Sequence, residues 1–464
     1  MASSVLAPGA DAPQTTIGAR MRSFFQKAFL EISNSYWVVP LTMVLSALVL
    51  ATCLYLVDLH WSAAEWGQWL PIPPATAEGA REMLGTIAGA VIGVAGVTFS
   101  ITIVAVSFAG ANFGPRLVGN FMRDRANQFT VGAFVATFVY ALAAMRSVDG
   151  PPPGAGEEFF VPQITVFAAI VLSIGCVGLF LYFIHHVPET LNVANLSASI
   201  GRQLTKQLKS EFGRDRRMPS DRDMRSWDAA MPSQYLSLHD EGYIQTADLE
   251  TLGAFASKHD VRLRLFKRPG DFVTADDMLL GFQPVRPFDD EMQKRLTDCI
   301  KLGRDRTPYQ NVLFLVDELV EVIARALSPG VNDPLTAMNC LNWLAAALIE
   351  FVMHCEDEET DRKGWVDFAN PITFRQLLSA SFDQCRPYLV ADRNTALHLI
   401  ERLAAIRAAC RTEEQRRNVE EHLMRTRSAI FAVQPEPYWR DEAEASLSQI
   451  ETDLSEAMPT SAND

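Results

Sequence analysis

The sequence predicts an α-helical polytopic membrane domain with four transmembrane helices, followed by a cytoplasmic α+β domain with a small sheet and a helical bundle. Lys, Arg, Asp and Glu are absent from residues 32–57, 83–115, 126–145 and 159–188. Each of these stretches is long enough to cross a bilayer as a helix, which takes about 20 apolar residues. Beyond residue 190 the apolar residues instead follow the spacing of short strands and then of amphipathic helices.

Composition and charge exclude several classes of protein. Of the 464 residues, 48% are hydrophobic and the mean hydropathy is +0.06, which excludes a disordered chain. The net charge of −14 argues against the basic surface of a nucleic-acid-binding protein, so we expect no nucleic-acid partner. The seven cysteines form no CxxC pair and there is no HExxH motif, so the sequence predicts neither a metal site nor a cofactor.

The flanking charges predict the orientation of the spans. We place the spans at residues 37–57, 84–108, 128–146 and 163–185, within a membrane domain of residues 36–190. Lys and Arg predominate before the first span, between the second and third, and after the fourth, whereas the other two connections are acidic. Because Lys and Arg favour the cytoplasmic side, we expect a cytoplasmic N-terminal arm at residues 1–35 and a cytoplasmic C terminus.

The rest of the chain changes pattern several times. The patterns predict a juxtamembrane helix and linker, a small α/β unit, a helical cytoplasmic domain and a disordered acidic tail, at residues 191–235, 236–288, 289–440 and 441–464 respectively. Strands are predicted in the α/β unit at GYIQTA, VRLRLFKR, DFV and LLGFQPV. Helices are predicted near residues 289–302, 308–327, 334–354, 372–387, 393–411 and 412–430.

The second span carries a stripe of small residues. Gly85, Gly89 and Gly93 are four residues apart, and Gly96 and Ser100 continue the stripe. Small residues at this spacing let two membrane helices approach closely. Two interpretations stay open: the helix packs tightly inside one subunit, or it packs round a symmetry axis and lines a pore.

The pore interpretation makes the composition of the span important. Thr98, Ser100 and Thr102 would give the pathway mild polarity, while Phe99 and Ile103 would form a hydrophobic constriction. The span carries no charge and so offers no ion-coupling carboxylate, which argues against a proton-coupled transporter.

Charged and titratable side chains mark the predicted cytoplasmic ends of the spans. Arg116, Arg123 and Arg125 lie between the second and third spans. They either anchor the chain to anionic headgroups or form a vestibule that attracts a small anion. His185 and His186 end the fourth span as neighbours and point about 100° apart on a helix, so we expect an interfacial pair and not a metal site.

The motif ALSPGVNDPLTA at residues 326–337 is the most informative stretch beyond the spans. Pro329-Gly330 favours a tight turn, and Asp333 before Pro334 is typical of a helix start. The motif is either a stiff corner between two helices or a loop that contacts a ligand or partner. The residues assigned to such a contact are Arg304, Arg306, Ser328, Pro329, Gly330, Asn332, Asp333 and Pro334.

Four long motifs carry a resemblance to a known family. The stretches FSITIVAVSFAGANFGPRLVGNFMRDR, YFIHH, RPGDFV and RALSPGVNDPLTA resemble a bacterial family of predicted integral membrane proteins defined by a domain of unknown function. The resemblance covers about residues 20–430. It implies a multi-pass protein of the bacterial inner membrane with an N-terminal membrane part and a soluble C-terminal part, and it implies no substrate or reaction.

These observations favour a homo-oligomeric channel or passive transport protein. In this prediction the second span lines the pathway, the cytoplasmic domain regulates or assembles, and the partners are the lipid bilayer, further copies and a small anion. One alternative is a membrane-anchored ligand sensor or scaffold. A membrane-bound enzyme is less favoured, because the sequence has no nucleophile elbow, Walker loop or dinucleotide fingerprint and no catalytic residue is predicted.

Overall fold

The computed structural model describes most of the chain as two compact units. The described residues are 37–60, 75–114, 124–148, 160–212, 233–238, 240–287, 289–354, 366–370 and 372–433, with single residues between 441 and 449. The N-terminal unit ends at Leu191, and the C-terminal unit begins at Asn192 and also takes up Asn112–Gly114. The predicted N-terminal arm, the linker after residue 212 and the end of the predicted tail lie outside the described residues.

The N-terminal unit consists of long apolar helices that coincide with the predicted spans. They are α1 (Val38–His60), α2 (Ala77–Phe113), α3 (Arg125–Ser147) and α4 (Gln163–Thr190). Each is longer than the span that the sequence predicts, because the helical pattern continues past the apolar core into polar ends.

Helix α3 lies at the centre of the N-terminal unit. Of its most apolar stretch, 56% is buried, against about a fifth in each of α1, α2 and α4. Ala136, Tyr140 and Ala144 pack in one hydrophobic cluster with small residues of α1 and α2. Gly132 permits the close crossing with α1, because a Cβ there would come within 2.8 Å of the Met43 sulfur.

Within the described residues, five helices are long and apolar enough to cross a membrane, whereas the sequence predicts four spans. The fifth is α9 (Pro334–His354) in the C-terminal unit, and half of its most apolar stretch is buried there. Length and hydropathy alone therefore leave the number of spans open.

The first helix of the C-terminal unit, α5 (Val193–Phe212), is the predicted juxtamembrane helix. Its buried face, which includes Ile200, Leu204 and Leu208, packs against α9. The helix is therefore part of the C-terminal bundle.

Two small sheets form the α/β part of the C-terminal unit. The first has the strand order β1 (Gln234–Ser237), β5 (Met278–Gln283), β3 (Arg262–Leu265) and β7 (Val366–Phe368). The second has the order β4 (Phe272–Val273), β2 (Gly242–Ala247) and β6 (Ile300–Gly303). Both sheets and helix α6 (Leu249–His259) share one hydrophobic core.

The four predicted strands are confirmed as β2, β3, β4 and β5, and three further strands were not predicted. The predicted helix at 289–302 is wrong at its end: α7 spans Asp290–Asp298 and Ile300–Gly303 is β6. The cause is tertiary, because β6 pairs antiparallel with β2 and completes its hydrogen bonds. Both β6 and β7 come from beyond residue 288, so the sheets draw on both predicted segments.

The helical part of the C-terminal unit is built on α8 (Val312–Ala326) and α9. Around these two lie α10 (Phe374–Phe382), α11 (Arg386–Leu389), α12 (Arg393–Ala409) and α13 (Glu413–Val433). Four of the predicted helices agree with these bounds to within a few residues, whereas the single helix predicted at 372–387 is wrong: the chain there forms α10 and α11, separated by a turn at residues 383–385. The core of the bundle includes the fully buried Leu319, Leu344, Leu399 and Leu403.

Candidate functional site

Helix α2 presents one regular face to the interior of the N-terminal unit. The buried residues of this face are three or four positions apart and mostly small: Ala80, Leu84, Ala88, Val91, Ala95, Thr98, Thr102, Ala105 and Ala109. This spacing is that of a helix-packing seam. The face therefore accounts for how α2 is held within its own unit.

The predicted glycine stripe lies on the other side of the same helix. We call Gly85, Gly89, Gly93, Gly96 and Ser100 the glycine face; all five are exposed. A Cβ added at any of its four glycines would meet no described atom within 4 Å. The glycines therefore do not serve packing within one copy of the described chain.

The hydroxyl groups predicted for a pathway separate into two sets. Thr98 and Thr102 are buried on the seam, and the Thr102 hydroxyl donates to Asn127 Oδ1 on α3 at 3.0 Å. Ser100 instead lies on the exposed side, together with the predicted constriction residues Phe99 and Ile103. The sequence placed all five on one pathway, whereas the helix turns them to different sides.

The arginines predicted at the mouth fall at the edge of the described chain. Arg125 is the first residue of α3 and is exposed. Arg116 and Arg123 lie outside the described residues. The adjacent Asp124 caps α3 by accepting from the backbone N–H of Ala126, and its other oxygen lies 2.8 Å from His186 Nε2.

His186 therefore joins α3 to the end of α4, which the sequence did not predict. The Tyr182 ring stacks on its imidazole, with 5.2 Å between the ring centres. Its neighbour His185 is exposed and lies 3.4 Å from Glu189. The two histidines point apart, as their spacing predicts.

A buried carboxylate closes the opposite end of the N-terminal unit. Asp58, in the last turn of α1, accepts hydrogen bonds from the backbone N–H groups of Ile164 and Thr165 and from the Thr165 hydroxyl. The free N–H groups at the start of a helix favour a negative charge. Asp58 therefore caps α4 although it belongs to α1, more than 100 residues earlier in the chain. In the sequence, the only indication of this cap was an acidic residue, Asp58, at the end of an uncharged run.

The Ser328–Pro334 motif forms a corner between α8 and α9, as one of the two interpretations predicted. Asp333 caps α9 by accepting from the N–H and the hydroxyl of Thr336, and Pro334 is the first residue of that helix. Asn332 adopts a left-handed backbone conformation with φ of 47°. Because Asp333 occupies the helix start, an anion would have to displace it.

A cluster of charged and polar side chains lies near the start of α8, at the opposite end of this helix from the Ser328–Pro334 corner. We call it the arginine cluster; its members are Arg268, Arg306, Thr307, Asn311 and Asp317. Arg306 Nη1 donates to Asp317 Oδ2 at 2.6 Å. Burial, the largest cause, lowers the pKa of Arg268 from its usual value; the carboxylate of Asp271 opposes this and the charge of Arg306 adds to it. Arg268 Nη1 itself donates to the Asn370 carbonyl at 3.4 Å and to Gln376 Oε1 at 3.2 Å.

The arginine cluster contains polar atoms without a partner. Arg306 Nε, Thr307 Oγ1 and Asn311 Nδ2 are buried and have no hydrogen-bond partner among the described residues. The Asn311 amide packs on Gly270, where a Cβ would overlap it. Buried unpaired donors are rare, because each costs about 1–3 kcal/mol.

The structure does not bring the predicted contact residues together. Helix α8 has 15 residues, a length of about 22 Å, and separates Arg306 from the Ser328–Pro334 corner. Arg304 is exposed, whereas the unpaired donors of the arginine cluster are buried. Within the described residues no group of His, Cys, Asp and Glu side chains could hold a metal ion.

Comparison with known proteins finds one family and several relatives. A family model described as "Predicted membrane protein (DUF2254)" matches residues 33–405. An uncharacterised protein of Mycobacterium tuberculosis (strain CDC 1551 / Oshkosh) is 28% identical over 344 residues, which cover 71% of this chain and 64% of the relative. An uncharacterised protein of Mycobacterium bovis (strain ATCC BAA-935 / AF2122/97) is 27% identical with the same coverage. This chain thus spans less than two thirds of the length of these relatives. No solved structure matches it.

Proposed function

The chain belongs to this family of predicted membrane proteins, and from that premise we propose that it is a homo-oligomeric channel or passive transport protein of the bacterial inner membrane. The observation that carries the proposal is the open glycine face of α2. Glycines at this spacing let helix backbones touch in a membrane, and no described helix of the same copy uses them. The partner is then the α2 helix of a further copy.

The two faces of α2 assign its residues to different roles. The seam that holds Thr98 and Thr102 binds α2 to its own copy, so these hydroxyls support the subunit and not the pathway. Ser100 and Ile103 lie on the glycine side and Phe99 borders it, so these three are the residues that face or flank an axis between copies. A ring of Phe99 and Ile103 would act as a hydrophobic constriction.

The positive-inside pattern supports four spans with both termini in the cytoplasm. In that arrangement α9 is a core helix of the soluble part. Its Glu350 pairs with Lys209 of α5 at 2.8 Å, and its Asn342 pairs with His398 of α12 at 2.7 Å. A helix with charged and polar partners on two sides is better suited to a bundle in water than to lipid.

The glycine face is tested by the oligomeric state of the full chain in nanodiscs. We expect Gly93→Leu to dissociate the oligomer, because the larger side chain holds the α2 backbones apart. Gly178→Leu on α4 is the matched control, since Gly178 is equally open. A Gly93→Leu variant that assembles like the wild type would contradict the proposal that the glycine face forms the contact between copies.

The pathway is tested separately by conduction in planar bilayers. We expect current from the wild type, and a shift of ion preference from anions towards cations when Arg116 and Arg123 are replaced by Glu. The shift follows from Coulomb attraction at the mouth, which salt screens over about 8–10 Å. An oligomer that carries no current under voltage, tension or added anion would contradict the channel proposal and favour the scaffold interpretation.

A ligand sensor is the second candidate, and the three unpaired donors of the arginine cluster favour it. A guanidinium with a free Nε–H, next to a buried hydroxyl with no partner among the described residues, suits an oxyanion. We expect inorganic phosphate to raise the thermal midpoint of the full chain in detergent, because a ligand stabilises the state that binds it. Arg306→Gln should abolish this rise and Arg304→Gln should retain it; a rise that survives Arg306→Gln would exclude the cluster as the site.

A further inference from the structure

An exposed apolar loop joins α8 to α9. The side chain of Leu335 is 74% exposed and that of Val331 is 49% exposed. Between Ala326 and Ile349 the only charged residue is Asp333, and its carboxylate is occupied by the cap of α9. We call residues 328–335 the apolar loop. It offers two exposed aliphatic side chains to its surroundings, and its one carboxylate is hydrogen-bonded.

The chain passes from α4 into the C-terminal unit beside this loop. Helix α4 ends at Thr190, and the C-terminal unit begins at Asn192. Ser197, soon after this point, accepts a hydrogen bond of 3.0 Å from Asn339 Nδ2. Leu335 precedes Asn339 by one turn of α9, which is about 6 Å along the axis.

The chain also passes from α2 into the C-terminal unit beside this loop. Helix α2 ends at Phe113, and Gly114 after it belongs to the C-terminal unit with φ of 120°. A Cβ at Gly114 would overlap the carboxylate of Glu321 on α8. From Glu321 the helix runs about 8 Å to Ala326, whose carbonyl accepts from the backbone N–H of Asp333 in the loop.

Within the C-terminal unit, the residues that continue the chain from α2 and from α4 thus lie at the end that carries the apolar loop. We propose that the apolar loop is a membrane-surface contact, in which Val331 and Leu335 insert into the headgroup region of the bilayer. Chain continuity brings the bilayer to this end, which favours lipid over a protein partner. Insertion of Val331 and Leu335 need not desolvate an unpaired charge, because Asp333 is the one charged residue between 328 and 335 and its carboxylate is hydrogen-bonded in the cap of α9. Aliphatic side chains at a bilayer surface are stabilised by the apolar area they bury.

The contact is tested with a photo-crosslinking amino acid at position 335 of the full chain, in vesicles of phosphatidylethanolamine and phosphatidylglycerol. The matched control carries the same amino acid in place of Met424, which is 63% exposed on α13. We expect lipid adducts at position 335 at severalfold the yield found at 424. Position 331 provides a second site if the first variant is poorly produced.

Two results would overturn the proposal. One is lipid labelling at positions 335 and 331 that does not exceed the yield at 424, since an immersed side chain must react with lipid. The other is a dominant cross-link between two protein chains, which would identify the loop as a contact between copies. Neither result depends on conduction or on the glycine face, so the proposed channel and this contact can fail separately.

Discussion

At the scale of the residue, backbone N–H groups and guanidinium groups hold several of the less exposed charged and titratable side chains. Asp58 caps α4 and Asp333 caps α9. In the C-terminal bundle, Arg386 lies 2.8 Å from both His422 Nδ1 and Asp383 Oδ1. Buried polar groups left unpaired are costly, so these partners determine which form of each side chain is stable.

His422 gives a prediction for the pH dependence of stability. The pKa of His422 is lowered to about 4, and burial is the largest cause; the charges of Arg386 and Arg425 also lower it, whereas those of Asp383 and Glu421 oppose them. The folded pKa lies below the unfolded value of about 6.5, so the unfolded state binds the proton first. The contribution of neutral His422 is complete above pH about 6.5 and is lost as the pH falls towards 4.

We expect the thermal midpoint of the full chain in detergent to fall over that pH window. His422→Gln should remove this part of the fall and cost about 1–2 kcal/mol at neutral pH, because it disturbs the bond from Arg386. His185→Gln, at an exposed position, should keep the wild-type pH profile. An unchanged profile in His422→Gln would show that other groups cause the fall.

At the scale of the element, close helix crossings determine which side of a helix is used. On α2 the seam is buried and the glycine face is open. On α5 the close approach is at Gly201, where a Cβ would come within 2.7 Å of Trp343 on α9. A sequence shows small residues in both helices, but only the fold distinguishes a crossing within one copy from a free face.

The crossing of α5 with α9 gives a second prediction. Gly201→Ala forces the helices apart and should destabilise the C-terminal unit by about 1–3 kcal/mol, as overpacking does. Gly253→Ala on α6 is the control: its Cβ would meet only Val366 Cγ2 at 4.0 Å, and it should stabilise the helix by about 0.5–1 kcal/mol. Denaturant midpoints of the full chain measure both; equal shifts of the two variants would contradict the crossing.

At the scale of the whole molecule, the open question is how often the chain crosses the membrane. Five described helices have the required length and hydropathy, and the charge pattern favours four spans. Four spans and five spans differ in the side of the membrane on which the residues after His354 lie. If α9 crossed the membrane, the residues after His354 would lie on the outer side; if it is a core helix, they lie in the cytoplasm.

Alkaline phosphatase fusions distinguish the two arrangements, because the enzyme is active only outside the cytoplasm. We expect activity in fusions after Leu70 and Pro153, and none after Asn120 or Ser220. The decisive fusion follows Thr360, where a core helix α9 predicts no activity. Activity at Thr360 would make α9 a fifth span, and activity at Asn120 or Ser220 would invert the whole topology.

The sequence by itself determined the apolar helices, the family and most helix bounds in the second half. These follow from local patterns: uncharged runs for α1 to α4, alternation for β3, and an Asp-Pro start for α9. Local patterns suffice there because hydropathy and capping act within a few turns of one helix. The glycine stripe was visible in the sequence too, but the sequence did not show whether other helices of the same chain cover it.

Only the tertiary structure decided which side chains meet. The end of α7 became β6 because β2 supplies its hydrogen bonds, and α9 combines the hydropathy of a span with polar partners on α5 and α12. The same holds for Thr98 and Thr102, which lie in the interior of the N-terminal unit and not on the exposed side of α2. Each depends on residues far apart in the chain, whose contacts no local pattern of hydropathy or spacing specifies.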